Sequence, residues 1–346
     1  MSLPGKILFC GLGGAGQRHL RLFHELLPAS TRFFAYRRTS STPLLNSDFT
    51  VDTTDSLENR YGVELVNSLG EGLSQFPDLV VISNPTSLHE QTALTAAKSG
   101  CDIFMEKPWG ISTEKFNEFR NEVRSRGLKF HISFQLRYHP LIQKAKLLLD
   151  SGKLGRALTG SFEIFSDFRQ WHPYENWRQL YAAKKSMGGG VLLTEIHETD
   201  LAFWFFGKPK KVYCQGGTWS GENIDVEDFA QLMLGFKQGS VMNNSSFLHK
   251  STSRGFHIAC EKGDLKWEEG KRELEVRTDA GLESFTDEKP DITAMFKQQA
   301  RDFFYDWDTE KTISSLDSAF YSLAVAEGAR QSIVSGMPVG LPHMAE

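Results

Sequence analysis

Lysine and histidine side chains take or give protons near neutral pH once their surroundings tune them, and context singles out one of each in this chain. Lys107 lies in Glu106-Lys107-Pro108, directly after the apolar run Ile103-Phe104-Met105, with Pro108 stiffening its backbone. His197 follows Gly188-Gly189-Gly190, whose lack of side chains would let backbone approach a ligand. Thr194, His197 and Asp200 recur at a spacing of three, which puts them on one face of a helix predicted over 191–206. That helix is otherwise rich in Leu, Phe and Trp, so the polar face fits plain core poorly. Taken alone, a lysine after a strand is more often a surface charge, and a buried histidine is often just hydrogen-bonded.

The N-terminal segment supplies the chemistry such groups would serve. Ile7 to Cys10 is a short apolar run, Leu20, Phe23 and Leu27 repeat at helical spacing, and between them lies Gly11-Leu12-Gly13-Gly14-Ala15-Gly16. In a strand–turn–helix, Gly11 permits the tight turn, Gly13 lets backbone approach a pyrophosphate, and Gly16 allows the helix to pack closely. These six residues are the expected dinucleotide contacts. A second strand, Phe33 to Tyr36, leads into Arg37-Arg38-Thr39-Ser40, where an NAD site usually carries an acid. Guanidinium forks and a hydroxyl suit a 2′-phosphate, so Arg37, Arg38 and Thr39 point to NADP, with NAD the less favoured cofactor. A solvated basic turn is the plainer reading of the same residues.

After the run Leu79 to Ile82, Ser83, Asn84, Pro85 and His89 open toward the ligand crevice, and Glu106 with Lys107 completes the expected cofactor set. Ser87 as a helix cap and His89 as a surface residue fit equally well. Moving a hydride between an alcohol carbon and nicotinamide needs a group for the hydroxyl proton and donors for the developing oxyanion. Lys107 and His197 are the catalytic candidates.

The elements that must position them follow from patterning. Continuous apolar strands alternating with helices (87–99, and 112–126 with Ser112 as N-cap and Gly127 beyond its end) predict a doubly wound parallel sheet over residues 1–133. From 134 to 346 the grammar changes to a helix over 140–151, strands of alternating polarity (158–165, 211–216, 229–236, 240–247, 255–260, 265–268) and helices over 292–307 and 316–335. The expected fold is α/β: an N-terminal Rossmann domain plus a C-terminal α/β domain with a large, mostly antiparallel open sheet. The stretch 166–190 is long, aromatic and irregular, a profile common at functional loops.

Composition narrows the rest. The 346 residues carry a net charge of −4, which offers no whole-chain attraction to nucleic acid or to an anionic membrane. Cys10, Cys101, Cys214 and Cys260 lie far apart without a C-x-x-C, so neither a metal site nor a disulfide framework is expected, and a cytoplasmic location fits. A first strand at Lys6 leaves no room for a signal peptide, and no apolar run is long enough to span a bilayer.

Together the glycine loop, Asn84-Pro85, Glu106-Lys107-Pro108 and Gly188-Gly189-Gly190 through His197 to Asp200 resemble the Gfo/Idh/MocA family, named for glucose-fructose oxidoreductase, inositol dehydrogenase and a rhizopine-catabolism protein. The resemblance runs on through Gln135 to Pro140, Trp171-His172-Pro173, Tyr181 and Asp225 to Asp228, nearly the whole chain. It implies NAD- or NADP-dependent oxidation or reduction of a sugar, sugar derivative or cyclitol, and a homodimer or homotetramer formed through the C-terminal sheet. It implies that Lys107 contacts substrate and assists proton transfer, that His197 is the acid/base, and that Asp200 is the acid one turn on. Arg137 and Tyr138 fall where members approach nicotinamide or substrate. His172, Tyr174, Arg178 and Tyr181 fall in the variable substrate loop, although aromatic core explains that segment equally. One position departs: many members carry an acid one turn before the histidine, where this chain has Thr194. That leaves open a larger share of proton transfer for Lys107, a different substrate, a non-catalytic sugar sensor, or redox-neutral chemistry with a bound cofactor.

Overall fold

The computed structural model describes residues 3–37, 43–171, 176–288, 291–308 and 314–344. The described chain forms two compact units, one built on residues up to Ser133 together with Phe296–Ala319, the other on most of the remainder.

In the first unit the apolar runs become strands. In chain order the elements are β1 (Lys6–Cys10), α1 (Gly14–Leu26), β2 (Arg32–Tyr36), α2 (Leu57–Tyr61), β3 (Val63–Val66), α3 (Leu69–Leu73), β4 (Leu79–Ile82), α4 (Thr86–Lys98), β5 (Asp102–Met105), α5 (Phe116–Arg126) and β6 (Phe130–Ile132). The strands form one six-stranded parallel sheet in the order β3-β2-β1-β4-β5-β6. Ile7, Val80, Val81, Ile103 and Phe104 are fully buried, because helices cover both faces of a parallel sheet. The order reverses between β1 and β4, and ligands of such sheets bind beyond the carboxyl ends of the strands at that switch point. The edge strands β3 and β6 are missing from the sequence reading: Val63-Glu64-Leu65-Val66 is too polar, and Phe130-His131-Ile132 too short, to stand out.

Two helix starts differ from expectation. Helix α4 begins at Thr86 behind Pro85 rather than behind Ser87. Helix α5 begins at Phe116 behind Lys115, and the Ser112 hydroxyl instead accepts from the Glu114 N–H (3.2 Å) in the preceding turn. Gly127 does close α5, at φ +64°.

The core under β1 and β5 is aromatic and is completed from late in the chain. Phe296, Ala300, Phe303 and Phe304 join Ile7, Phe9, Phe23 and Phe104 in one buried cluster. The Phe23 and Phe304 ring centroids are 4.8 Å apart and those of Phe104 and Phe303 5.5 Å, both edge-to-face. Each fully buried phenylalanine stabilises the unit by about 1.5–3 kcal/mol.

The second unit contains α6 (Pro140–Asp150), β7 (Ala157–Phe165), α7 (Val191–Thr194), α8 (His197–Phe206), β8 (Lys211–Gly217), β9 (Phe229–Gly235), β10 (Ser240–Ser246), β11 (Ser253–Cys260), β12 (Gly263–Glu268), β13 (Glu273–Thr278) and β14 (Gly281–Thr286). Helices α9 (Ile292–Phe304) and α10 (Leu316–Ser335) divide between the units, and β15 (Val339–Gly340) ends the described strands. The nine strands run β14-β13-β12-β11-β7-β10-β9-β8-β15, antiparallel except where β7 pairs with β10. Strand β9 alternates buried and exposed residues along its length. Phe205 and Phe206 of α8 pack on Phe162 of β7, while Met233 and Met242, paired across β9 and β10, are 53 % and 44 % exposed.

The single helix expected over 191–206 is two helices. The chain turns at Glu195 (φ −97°, ψ 45°) and Ile196, so Thr194 ends α7 while His197 starts α8. A tertiary attraction accompanies the break: the Glu195 carboxylate accepts from Arg254 (3.0 Å) and Ser166 (3.4 Å). His197 and Asp200 stay one turn apart on α8, but Thr194 does not continue their helical face.

Candidate active site

The glycine loop is shaped by two different demands. Gly11 has φ +97°, and a Cβ there would lie 2.7 Å from the Asn84 backbone nitrogen. A Cβ on Gly16 would lie 2.5 Å from the Gly11 carbonyl and 2.6 Å from the Ser83 hydroxyl, which itself donates to that carbonyl (2.9 Å). Both glycines are therefore required by the protein's own packing. A Cβ on Gly13 would meet nothing within 4 Å. Gly13 is also the N-cap of α1, with no side-chain cap and no acid in the first turn. N–H groups that the N-cap glycine leaves uncapped, the positive end of a helix dipole and open space above a glycine fit the pyrophosphate of a dinucleotide. Gln17, which the sequence reading passed over, is buried and braces this loop, donating to Leu12 O (3.1 Å) and Pro43 O (2.8 Å) and accepting from Leu45 N–H (2.8 Å). Arg37 follows β2, and burial lowers its pKa against the opposing charge of Glu58. Arg38 and Thr39 lie outside the described residues.

Lys107 sits on the loop leaving β5, joined to Pro108 by a cis peptide bond. Its neighbour Glu106 donates its N–H to Ile82 O (2.8 Å), and its carboxylate meets the buried His19 Nε2 of α1 at 2.8 Å. Burial alone would raise the Glu106 carboxyl, but His19, with Arg18 and Lys107, holds it down to about 2. Glu106 is thus engaged by the protein's own α1.

His89, expected to contact cofactor or to lie on the surface, does neither with its ring nitrogens. It is 2 % exposed, with Nδ1 2.6 Å from the Pro108 carbonyl and Nε2 2.8 Å from the Asn84 carbonyl. Burial lowers its pKa, against the pull of those two carbonyls and of Glu106. The Asn84 side chain donates to Thr92 Oγ1 (3.1 Å), leaving its buried Oδ1 without a hydrogen-bond partner among the described residues. Behind the loop, Phe104 stacks on His131 (4.6 Å) and meets His19 edge-on (5.1 Å). Gln299 Oε1 accepts from Ser133 (2.8 Å) and lies 3.2 Å from His131 Nε2. Burial pushes His131 down to about 4, with the Gln299 hydrogen bond opposing.

In the second unit His197 is buried at the start of α8, edge-on to Phe134 with ring centroids 6.0 Å apart. Arg137 and Asp200, both expected at the substrate, bind each other: Nε–Oδ2 and Nη2–Oδ1 are each 2.7 Å, and both side chains are buried. Burial raises the Asp200 carboxyl to about 6, against the opposing guanidinium. Tyr138 and Thr194 are buried. Arg178 lies over the Trp177 ring (4.1 Å) and binds Glu222 (2.9 Å), and Tyr181 opens a short 3₁₀ turn. His172 and Tyr174 lie outside the described residues.

Two glycines of the triplet are closely packed by the protein itself. A Cβ on Gly189 would lie 2.3 Å from Tyr181 O, and one on Gly190 2.3 Å from the Glu227 carboxylate. Arg330 closes the arrangement, donating to Gly189 O (2.8 Å) and Glu227 (2.9 Å). A buried charge cluster also escaped the sequence reading. Arg254 of β11 binds Glu198 (2.8 Å) and Glu195, and burial with the nearby Glu195 charge pushes the Glu198 carboxyl up to about 7, although Arg254 opposes. Two glutamates within an apolar stretch were its only sequence signal. Among the described residues no group of His, Cys, Asp and Glu is placed to hold a metal ion, and no helix is long and apolar enough to cross a membrane.

Comparison with known proteins shows the family and the fold. A family model described as an oxidoreductase family with an NAD-binding Rossmann fold matches residues 5–134. The Gfo/Idh/MocA C-terminal domain model matches residues 142–266. The chain belongs to the Gfo/Idh/MocA family, and its N-terminal domain is that family's NAD-binding Rossmann domain. It is 23 % identical over 315 residues to an uncharacterised oxidoreductase, YrbE, of Bacillus subtilis, covering 86 % of this chain and 88 % of that one. It is 26 % identical over 208 residues to levoglucosan dehydrogenase of Pseudarthrobacter phenanthrenivorans, 53 % of each chain. A solved structure of levoglucosan dehydrogenase with NADH matches the fold at TM-score 0.80 and 18 % identity, over 98 % of this chain and 99 % of that one. A 2,7-anhydro-N-acetylneuraminate hydratase of Mediterraneibacter gnavus is 25 % identical over 178 residues, 50 % of this chain and 46 % of that one. The chain thus spans about half the length of the last two curated relatives.

The two kinds of glycine separate by experiment. Gly13→Ala is expected to leave the thermal midpoint unchanged and to weaken NADPH and NADH binding in a fluorescence titration, whereas Gly16→Ala lowers the midpoint itself. His131 generates a pH dependence. Its folded pKa of about 4 lies below the ordinary 6.5, so the unfolded chain takes the proton first. The stability this group confers is complete above about pH 6.5 and is lost as pH falls toward 4, roughly 3 kcal/mol in all. Urea unfolding at the two ends of that window should show a smaller acid loss in His131→Asn than in the parent.

Proposed function

We propose that this protein is an NADP-dependent oxidoreductase that exchanges a hydride between nicotinamide and a hydroxyl-bearing carbon of a sugar, sugar derivative or cyclitol. One observation carries the reading: within the first unit, the open cradle at Gly13, the unpartnered Asn84 Oδ1 and the Lys107 loop stand at the carboxyl ends of β1, β4 and β5, the end of such a sheet where dinucleotides bind. The bound cofactor supplies the hydride acceptor or donor. Gly11 to Gly16 hold its pyrophosphate, Ser83, Asn84 and Pro85 shape the wall beside it, and Arg37, Arg38 and Thr39 receive the 2′-phosphate.

Lys107 takes the substrate hydroxyl proton during oxidation and returns it during reduction, and as an ammonium it donates to the oxyanion that forms between. His197 is the second acid/base group. Position 194 is threonine, where many members of the family carry an acid, and on that departure the main proton role is assigned to Lys107. In the second unit Arg137, Tyr138, His172, Tyr174, Arg178, Tyr181, Thr194 and Asp200 are the residues assigned to the sugar.

The exposed pair Met233 and Met242 on the open sheet supports self-association as a homodimer or homotetramer, and four buried free cysteines agree with a reducing, cytoplasmic setting. The levoglucosan dehydrogenase structure contains NADH, so the NADP preference rests on the basic turn after β2. The hydratase relative favours a second reading, redox-neutral chemistry with retained cofactor.

Lys107→Met, assayed by NADPH and NADH absorbance across a panel of sugars and cyclitols, should lower turnover by about 10²–10⁴-fold with cofactor binding retained. Full turnover in that variant would remove Lys107 from the mechanism. Product formed with no net absorbance change would favour the redox-neutral reading, and tighter binding of NADH than NADPH would remove the assignment of Arg37 and Arg38.

A further inference from the structure

We propose that His19 and His89 are positioning residues that bracket Lys107, each holding one of its two chain neighbours: His19 the carboxylate of Glu106, and His89 the carbonyl of Pro108. The inference builds on the reading of Lys107 as the proton-transfer group, but its test does not depend on that reading.

The two histidines come from different helices, α1 and α4, and converge on one tripeptide. His19 is fully buried and surrounded by the rings of Phe23, Phe104 and Phe296 at 6.0, 5.1 and 5.8 Å. A phenylalanine would suit that shell as packing. What an imidazole adds is its contact to Glu106, at 2.8 Å. Its Nδ1 finds no hydrogen-bond partner among the described residues, so the Glu106 contact is the polar return for burying the ring.

His89 is 2 % exposed and sets Nδ1 against Pro108 O and Nε2 against Asn84 O, tying the loop after β5 to the loop after β4. A neutral ring protonated at Nδ1 donates to Pro108 O, the shorter of the two contacts, and an imidazolium donates to both carbonyls, so the hold on Pro108 takes the ring with its proton on Nδ1. Beyond Pro108 the chain is pinned again by the fully buried Trp109, between Phe116 and Phe119. A long, flexible side chain gains in reaction geometry when its backbone is fixed on both sides, because little further ordering is then needed to reach a productive position.

Local reactivity of Lys107 tests the bracket without any substrate. Trace acetylation by acetic anhydride, read by mass spectrometry of the Lys107 peptide, uses the exposed Lys98 and Lys115 as internal references. In His19→Phe and His89→Leu the Lys107 rate should rise about fivefold, the factor one net hydrogen bond represents, with the reference lysines unchanged. His19→Gln and His89→Gln, which retain a donor, should return most of the way to the parent rate. An unchanged or lower Lys107 rate in folded His19→Phe and His89→Leu overturns the proposal. His19→Phe, which suits the same aromatic shell, decides the question if His89→Leu does not fold. The two readings fail separately: full turnover in Lys107→Met would leave this labelling result standing, and an unchanged labelling rate would leave the lysine's chemistry standing.

Discussion

The candidate site depends on how closely two loops meet at the switch point of the parallel sheet. The turn after β1 approaches the turn after β4 so tightly that Gly11 and Gly16 have no room for a side chain, and the Ser83 hydroxyl binds the Gly11 carbonyl across the gap. This contact sets the direction in which α1 presents its uncapped N-terminus and the place where Asn84 stands. His89 then carries the constraint on, linking the Asn84 carbonyl to Pro108 and so to the lysine loop after β5. Aromatic core beneath β1 and β5, completed by Phe303 and Phe304, keeps the strands from shifting relative to one another.

The second unit is organised by buried charge. Breaking such a pair by removing one partner costs about 3–5 kcal/mol, because the other charge is left stranded, whereas an apolar replacement of both is often harmless. Removing one partner of Arg137–Asp200 or of the Arg254 cluster would therefore strand a buried charge. The first joins α8 to the turn that carries Arg137, and the second binds Glu195 at the turn where α7 ends and α8 begins. That break sets His197 at a helix start rather than mid-helix, which changes what lies beside it.

Local features were legible in the sequence. The glycine loop, the buried strands β1, β2, β4 and β5, the alternating strands of the second sheet and the membership of the family all follow from short-range patterns. What the pattern could not show is long-range pairing. The partner of Glu106 is 87 residues away at His19, and that of His131 is 168 residues away at Gln299. The same limit hides the close approach of Gly190 to Glu227 and the ion pair of Glu195 with Arg254 at the helix break. The β13–β14 hairpin stood out less for a different reason: Glu273-Leu274-Glu275-Val276-Arg277 does alternate, but β14 is exposed along nearly all its length and shows no apolar face.

The central claim is hydride exchange with a hydroxyl-bearing carbon, and isotope transfer tests it most directly. The wild-type protein would be incubated with NADPH deuterated at nicotinamide C4 and a panel of keto- and aldo-sugars, and the products weighed by mass spectrometry. The expected product is a reduced sugar carrying one deuterium on carbon, formed in step with NADPH consumed. A sugar product without deuterium, formed while the NADPH remains intact, would contradict it.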